Sequence, residues 1–157
     1  GLAIRVKNLD ELILNVNGST LDDLHNALES IAARSADPET CLLALAREYI
    51  HFAFTHRALW SLVFEHPSPQ RHPTWYRDKV ARMFQIVEGR LRGIAPERQT
   101  KDLSLAAHAL WSGVHGISVL GLADRLDKSG QAAAEKLAVS LVTNYLIGFK
   151  QQSKHRR

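Results

Sequence analysis

The sequence predicts an all-α domain. Apolar residues recur at three- and four-residue steps in segment after segment, no alternating run is long enough for a useful strand, and prolines and glycines fall between the periodic stretches. With 157 residues, 45% of them hydrophobic, the chain can bury a core of its own without disulfides or metal. The expected architecture is a bundle of five or six helices.

The first helix is expected to start at Asn8-Leu9-Asp10-Glu11, which fits a capping box. Leu9, Leu12, Ile13 and Val16 then form one apolar face, and Leu21, Leu24, Leu28 and Ile31 resume it. Between them Asn17-Gly18-Ser19-Thr20 are poor helix formers, which predicts a soft or kinked middle. Asp37 as N-cap and Pro38 at the first helical position open the next helix, about 38–65. That segment is apolar nearly all round, so it belongs at the centre of the domain. Pro67, Pro69 and Pro73 end it in a surface loop.

Thr74 can cap a fourth segment whose apolar positions Tyr76, Val80, Met83, Phe84, Val87 and Leu91 form a single stripe among arginines. Gly93-Ile94-Ala95-Pro96 breaks it. A helix from about Thr100 to Leu126, a turn at Asp127-Lys128-Ser129-Gly130 and a last helix to about Lys150 complete the chain.

Charge gives less than it first suggests. Twenty basic against 16 acidic side chains leave +4, but Lys150, Lys154, Arg156 and Arg157 supply all of it from the last eight residues. A nucleic-acid-binding body would be expected to show a basic face, and the body before this tail is neutral. The single cysteine, Cys41, excludes an internal disulfide and fits a reducing, cytoplasmic compartment. No apolar run of membrane-spanning length and no signal peptide is apparent, so no membrane partner is expected.

The last two helices are apolar on more than one face. Gly113, Gly116 and Gly121 each cost about 0.8–1 kcal/mol against alanine inside a helix, and close approach of another helix or a ligand would offset that. Ala134, Leu137, Ala138, Leu141, Val142, Tyr145, Leu146 and Phe149 give the final helix a similarly wide apolar surface. A dimer in which each subunit contributes both helices to a four-helix bundle is therefore expected, with Gly113, Gly116, Leu120, Leu141, Tyr145 and Phe149 at the interface. Packing within one protomer is the alternative reading of the same glycines.

Ala109-Leu110-Trp111-Ser112-Gly113-Val114-His115-Gly116 resembles the Trp-x-x-x-His-Gly signature of the regulatory domain in one branch of the tetracycline-repressor-like transcription regulators. The resemblance extends in register from residue 8 to about 149. It includes Asn8–Leu14, Val16-Asn17, Thr20-Leu21-Asp22, Asp37-Pro38, Tyr49–Ala53, Leu59–Pro67 and Asn144-Tyr145-Leu146. It implies a sensing and dimerisation domain whose small effector alters operator affinity, with a repressor as the expected form. Such regulators begin with a three-helix, helix-turn-helix reader of DNA, which this sequence lacks. Residues 1–7 are accordingly expected to be a remnant of, or junction to, that domain, 8–149 the effector-binding and dimerisation domain, and 150–157 a basic tail. Operator DNA would be a partner only through the missing reader.

A cavity with aromatic walls would suit a small apolar or aromatic effector. Tyr49, Phe52, His56 and Trp60 on the central helix are its candidate lining, faced by Met83 and Val87. The resemblance turns Trp111 and His115 inward near its base, where His115 would supply a polar anchor. Plain core packing accounts for the same residue spacings. Neither a cofactor nor a metal is expected: His108 and His115 are seven apart, His51 and His56 five apart, and neither pair has helical zinc-site spacing. Cys41 has no identifiable base, and no catalytic motif stands out, so an enzyme is not expected. A stand-alone dimeric helical binding or scaffold protein remains the alternative function.

Overall fold

The computed structural model describes residues 1–66, 71–126 and 130–155. Among these, all regular structure is helical: α1 (Leu2–Arg34), α2 (Pro38–Thr55), α3 (Arg57–Phe64), α4 (Thr74–Ile94), α5 (Thr100–Leu122) and α6 (Gln131–His155). The prolines Pro67 and Pro69, the turn residues Asp127–Ser129, and Arg156 and Arg157 of the basic tail lie outside the described residues.

α2 is the axis of the bundle. Asp37 caps it, accepting the Thr40 backbone N–H at 2.9 Å, and Pro38 occupies the first turn. Its buried residues include Cys41, Leu42, Leu45, Tyr49, Ile50, Phe52 and Ala53, and they meet α1, α4, α5 and α6 on different sides. The segment is less uniformly apolar than its composition suggests: Thr40, Arg47, His51 and Thr55 form one exposed strip, and the wide apolar remainder is wrapped in this way.

Three departures from the sequence expectations shape the molecule. α1 begins at Leu2, so the Asn8–Glu11 capping box lies inside the helix, and residues 2–7 are its opening turns. Nor does α1 break at Asn17–Thr20. Asn17, Gly18 and Thr20 are buried there, and a Cβ on Gly18 would come within 2.8 Å of the Trp75 ring. The Asn17 side-chain amide donates to the Leu62 carbonyl at 3.3 Å, and Thr20 Oγ1 to the Val16 carbonyl at 3.1 Å. The small and polar residues are therefore a docking notch for α3 and α4 on a continuous helix.

The predicted single helix over 38–65 is two helices. Thr55 Oγ1 donates to the His51 carbonyl at 2.6 Å, and His56 Nδ1 lies 3.2 Å from the Phe52 carbonyl. With His56 at φ −124°, ψ 45°, the chain leaves helical geometry and restarts as α3. Side chains competing for the last carbonyls of a helix produce this kind of break.

The last helices are covered more fully than their composition suggests. Ala134, Ala138, Val142, Leu146 and Phe149 of α6 are buried, largely against α2. Gly113 fits beneath Leu141 of the same protomer, and Gly121 against Phe54 and Ala134. Arg98 lies over the Phe149 ring at 4.7 Å. Gly113, Leu141 and Phe149, expected at a dimer interface, are thus engaged within the protomer. Outside the helix's own backbone, no atom lies within 4 Å of a Cβ on Gly116; Leu120 one turn further along α5 is exposed, as are Leu137 and Ile147 of α6.

α5 alone among the described helices is long and apolar enough, by length and composition, to cross a membrane. The sequence shows no unbroken apolar run there because histidine, serine and glycine interrupt it. In the fold, Leu103, Ala107, Leu110, Val114, Ser118 and Gly121 turn that helix into the core. At the basic tail, α6 continues to His155, and Lys150 pairs with Glu39 at 2.7 Å.

Candidate effector cavity

An apolar cavity of about 360 Å³ lies between α1, α2, α4 and α5, bordered by residues of α3 and α6 and open to solvent on the side where exposed His72 and His108 lie. α1 contributes Leu21, Leu24 and Leu28, and α2 contributes Leu42, Leu45, Ala46 and Tyr49. Tyr76, Val80, Met83, Phe84, Ile86 and Val87 form the α4 wall, which is the stripe read from the sequence with Ile86 added and without Leu91, which is fully buried in the core. α5 supplies Ala107, His108, Leu110, Trp111 and Val114, while Val63, Phe64, His72 and Val142 complete the lining. No lysine, arginine, aspartate or glutamate is among the described lining residues.

Of the eight residues expected to bind a ligand, Tyr49, Met83, Val87 and Trp111 line this cavity. Phe52, His56, Trp60 and His115 do not. The break at His56 accounts for His56 and Trp60, because one helical register cannot be carried from Tyr49 through to Trp60; Phe52 precedes the break and His115 lies on α5. Phe52 is buried and stacks on the exposed His56 at 4.2 Å. Trp60 is fully buried and packs on His115 behind the wall. The α1 leucines are absent from the expected site although their spacing is plain, because only the fold shows which wall that face completes.

Behind the cavity is an aromatic cage. Two indoles, Trp60 and Trp111, stack on His115 with centroids 4.9 Å away and tilts of 28° and 27°. Two rings stacked on one imidazole must occupy its opposite faces. Phe64 presents an edge-type contact at 4.7 Å. Tyr49 links this cage to the cavity: its hydroxyl accepts from Trp111 Nε1 at 3.2 Å and lies 2.7 Å from His115 Nδ1.

The proton positions follow from the donor inventory. An indole N–H can only donate, so the Tyr49 oxygen accepts from it. The Tyr49 proton is then free for His115 Nδ1, which assigns the neutral ring its proton on Nε2. Burial pushes the His115 pKa down, opposed by the Glu65 carboxylate. Burial also holds the Tyr49 phenol well above its ordinary value. Both shifts favour a neutral, hydrogen-bonded pair. The Trp60 indole N–H approaches the same hydroxyl without completing a hydrogen bond.

Among the described residues, no three His, Cys, Asp or Glu side chains come together as a metal site would require. Cys41 is buried, and desolvation raises its thiol pKa, against the lowering influence of Arg90.

Replacing Tyr49 by phenylalanine keeps the ring but strips Trp111 Nε1 and His115 Nδ1 of their shared partner. The expected cost is about 1–3 kcal/mol, the range for leaving buried polar groups unsatisfied. Chemical denaturation checks this, and a Tyr49→Phe protein as stable as the parent would show the bonds to be dispensable.

A family profile described as Tetracyclin repressor-like, C-terminal domain matches residues 42–145. It spans α3, α4 and α5 entirely, with most of α2 and α6. A solved structure of a protein with unknown function from Rhodococcus sp. RHA1 superposes with a TM-score of 0.72 at 20% identity, covering 87% of this chain and 71% of that one. At that identity the likeness concerns the fold. No curated protein sequence matches the chain. With a profile match over most of its length and the helical fold that the family implies, this chain belongs to the tetracyclin repressor-like C-terminal domain family.

Proposed function

We propose that this domain senses a small effector and dimerises as part of a cytoplasmic, DNA-binding transcription regulator, with a repressor as the expected form. The cavity is the observation that carries this reading. Its volume lies in the range typical of small-molecule sites, and its walls are mostly apolar with a few polar tips, as such sites generally are. Family membership supports a regulatory rather than a catalytic role.

α1 is the route by which occupancy would be communicated. It lines the cavity with Leu21, Leu24 and Leu28, and the same unbroken helix runs back to Leu2. There Leu2, Ile4, Leu9 and Leu12 are exposed, Leu2 at 80%. Residues 1–7 would join this helix to a DNA-binding head. A coupling of about 1–3 kcal/mol would change operator affinity by roughly 5- to 150-fold.

Dimerisation would use the side of α5 and α6 left open within the protomer. Gly116, Leu120, Leu137 and Ile147 fall there, with half-buried Tyr145 on the same helix as the last two. The interface would thus retain Gly116, Leu120 and Tyr145 from the set expected by sequence. Lys150, paired with Glu39, serves the fold, and the basic tail is not the DNA contact in this proposal.

N-phenyl-1-naphthylamine, a neutral fluorescent probe, should bind saturably at one site per protomer, and Val87→Trp should abolish that binding while helix content is retained. Undiminished binding to the filled variant would place the probe elsewhere. In the intact regulator, the effector and operator DNA must change each other's affinity by one common factor. Identical effector affinity with and without operator would eliminate the switch. Gly116→Leu should leave the protomer fold intact yet weaken the dimer at least tenfold, read by sedimentation at micromolar concentration. An unchanged dimer would move the interface off this face.

A further inference from the structure

The cavity is asymmetric along its length. Lys79 bonds Asp22 at 2.6 Å and Arg90 bonds the Ala32 carbonyl at 2.7 Å, which aligns α1 and α4 in parallel. Gly93 packs against Pro38, placing the start of α2 beside the end of α4. From Tyr76 to Val87 the α4 wall runs about 16 Å. Leu28, Leu42, Ile86 and Val87 therefore gather at one end, where the lining is aliphatic. Phe64, His72 and Tyr76 gather at the other, where it is aromatic and polar.

Tyr76 is the informative residue at that polar end. It is 3% exposed and lines the cavity, yet its hydroxyl has no hydrogen-bond partner among the described residues, unlike that of Tyr49. His72 stacks on its ring at 4.3 Å, holding its plane. The Tyr76 oxygen is not among the fully enclosed polar atoms, so this hydroxyl is accessible and keeps both its donor and its acceptor capacity available to a ligand. Farther along, His108 stacks on Phe84 at 4.0 Å, and its Nδ1–H donates to the Ser104 carbonyl at 2.7 Å. The neutral His108 ring then keeps Nε2 as an acceptor on the lining.

The polar groups on these walls thus include hydroxyl and imidazole, with no lysine, arginine, aspartate or glutamate among the described lining residues to compensate an ionic ligand. Taking an isolated carboxylate or ammonium out of water into such a site is strongly unfavourable. We infer that the cavity selects an uncharged amphipathic molecule with one hydroxyl or carbonyl head and an aliphatic or aromatic tail. The head bonds the Tyr76 hydroxyl, and the tail reaches toward Leu28, Leu42 and Val87. This assignment rests on reading the cavity as the effector site, and it adds the polarity, charge and orientation of the occupant.

Three probes with one tail test it: butylbenzene, 4-butylphenol and 4-butylbenzoate. Each is measured by displacement of N-phenyl-1-naphthylamine at pH 8, where the phenol is neutral and an ordinary imidazole is uncharged. On the unmodified protein, 4-butylphenol should bind about five- to tenfold tighter than butylbenzene, as one neutral hydrogen bond allows. The benzoate should bind roughly a hundredfold more weakly than the phenol. In Tyr76→Phe the advantage of the phenol over butylbenzene should fall to within about twofold, with helix content retained. Equal affinity of phenol and butylbenzene, a phenol advantage that survives Tyr76→Phe, or a benzoate that binds tightest would each overturn the head-group assignment alone. Failure of butylbenzene itself to displace the probe would overturn the cavity reading along with it.

Discussion

Burial of α2 is the constraint on which the rest of this structure depends. Cys41, Leu42, Leu45, Ala46, Tyr49, Ile50, Phe52 and Ala53 cover about half of its circumference, and only the strip carrying Thr40, Arg47, His51 and Thr55 faces water. Four helices must therefore surround it, and each acquires its place from the α2 side chains that it covers. α6 fits closely because Ala134 and Ala138 allow it to approach. α1 and α4 stand farther off, held by the Lys79–Asp22 pair and the Arg90–Ala32 bond at their outer edges. The space left between those two helices, α2 and α5 is the cavity. The cavity is thus a consequence of how α2 is wrapped.

Much of this could be read from the residues. The α2 segment is apolar over about half its circumference, the α4 stripe from Tyr76 to Leu91 is clean, and the Asp37-Pro38 start needs no tertiary information. The Trp111–His115 step places both rings on one face of α5, where the structure finds them stacked. These features are local, decided by helical periodicity and first-turn chemistry.

Other features depend on contacts that no local pattern encodes. Asn17-Gly18-Ser19-Thr20 reads as a helix interruption until Trp75 and Leu62 arrive to occupy the notch it makes. Asn8–Glu11 satisfies the capping pattern, but the preceding residues can remain helical, so nothing there stops the helix. At Thr55-His56 the reverse holds: an apparently continuous apolar helix ends because two side chains claim backbone carbonyls. That one break moves Trp60 from the cavity wall to the back of the His115 cage. The family resemblance supplied the expectation of an inward-facing Trp-His pair, and the structure separates the two members: Trp111 touches the cavity, whereas His115 supports it from behind.

The continuity of α1 has a mechanical consequence. From Leu24, at the cavity wall, to Leu2 the helix extends about 33 Å, and its opening residues are exposed among those described. An unbroken helix is stiff along its axis, so it acts as a lever with its fulcrum in the packed segment. A tilt of about 5° at the leucines would carry the far end roughly 3 Å, more than half of one helical turn. Had Asn17–Thr20 been the hinge that their composition suggests, the same tilt would have been absorbed there. Burying those residues against Trp75 and Leu62 converts a weak point into a splint, and small adjustments at the cavity become displacements at a distance.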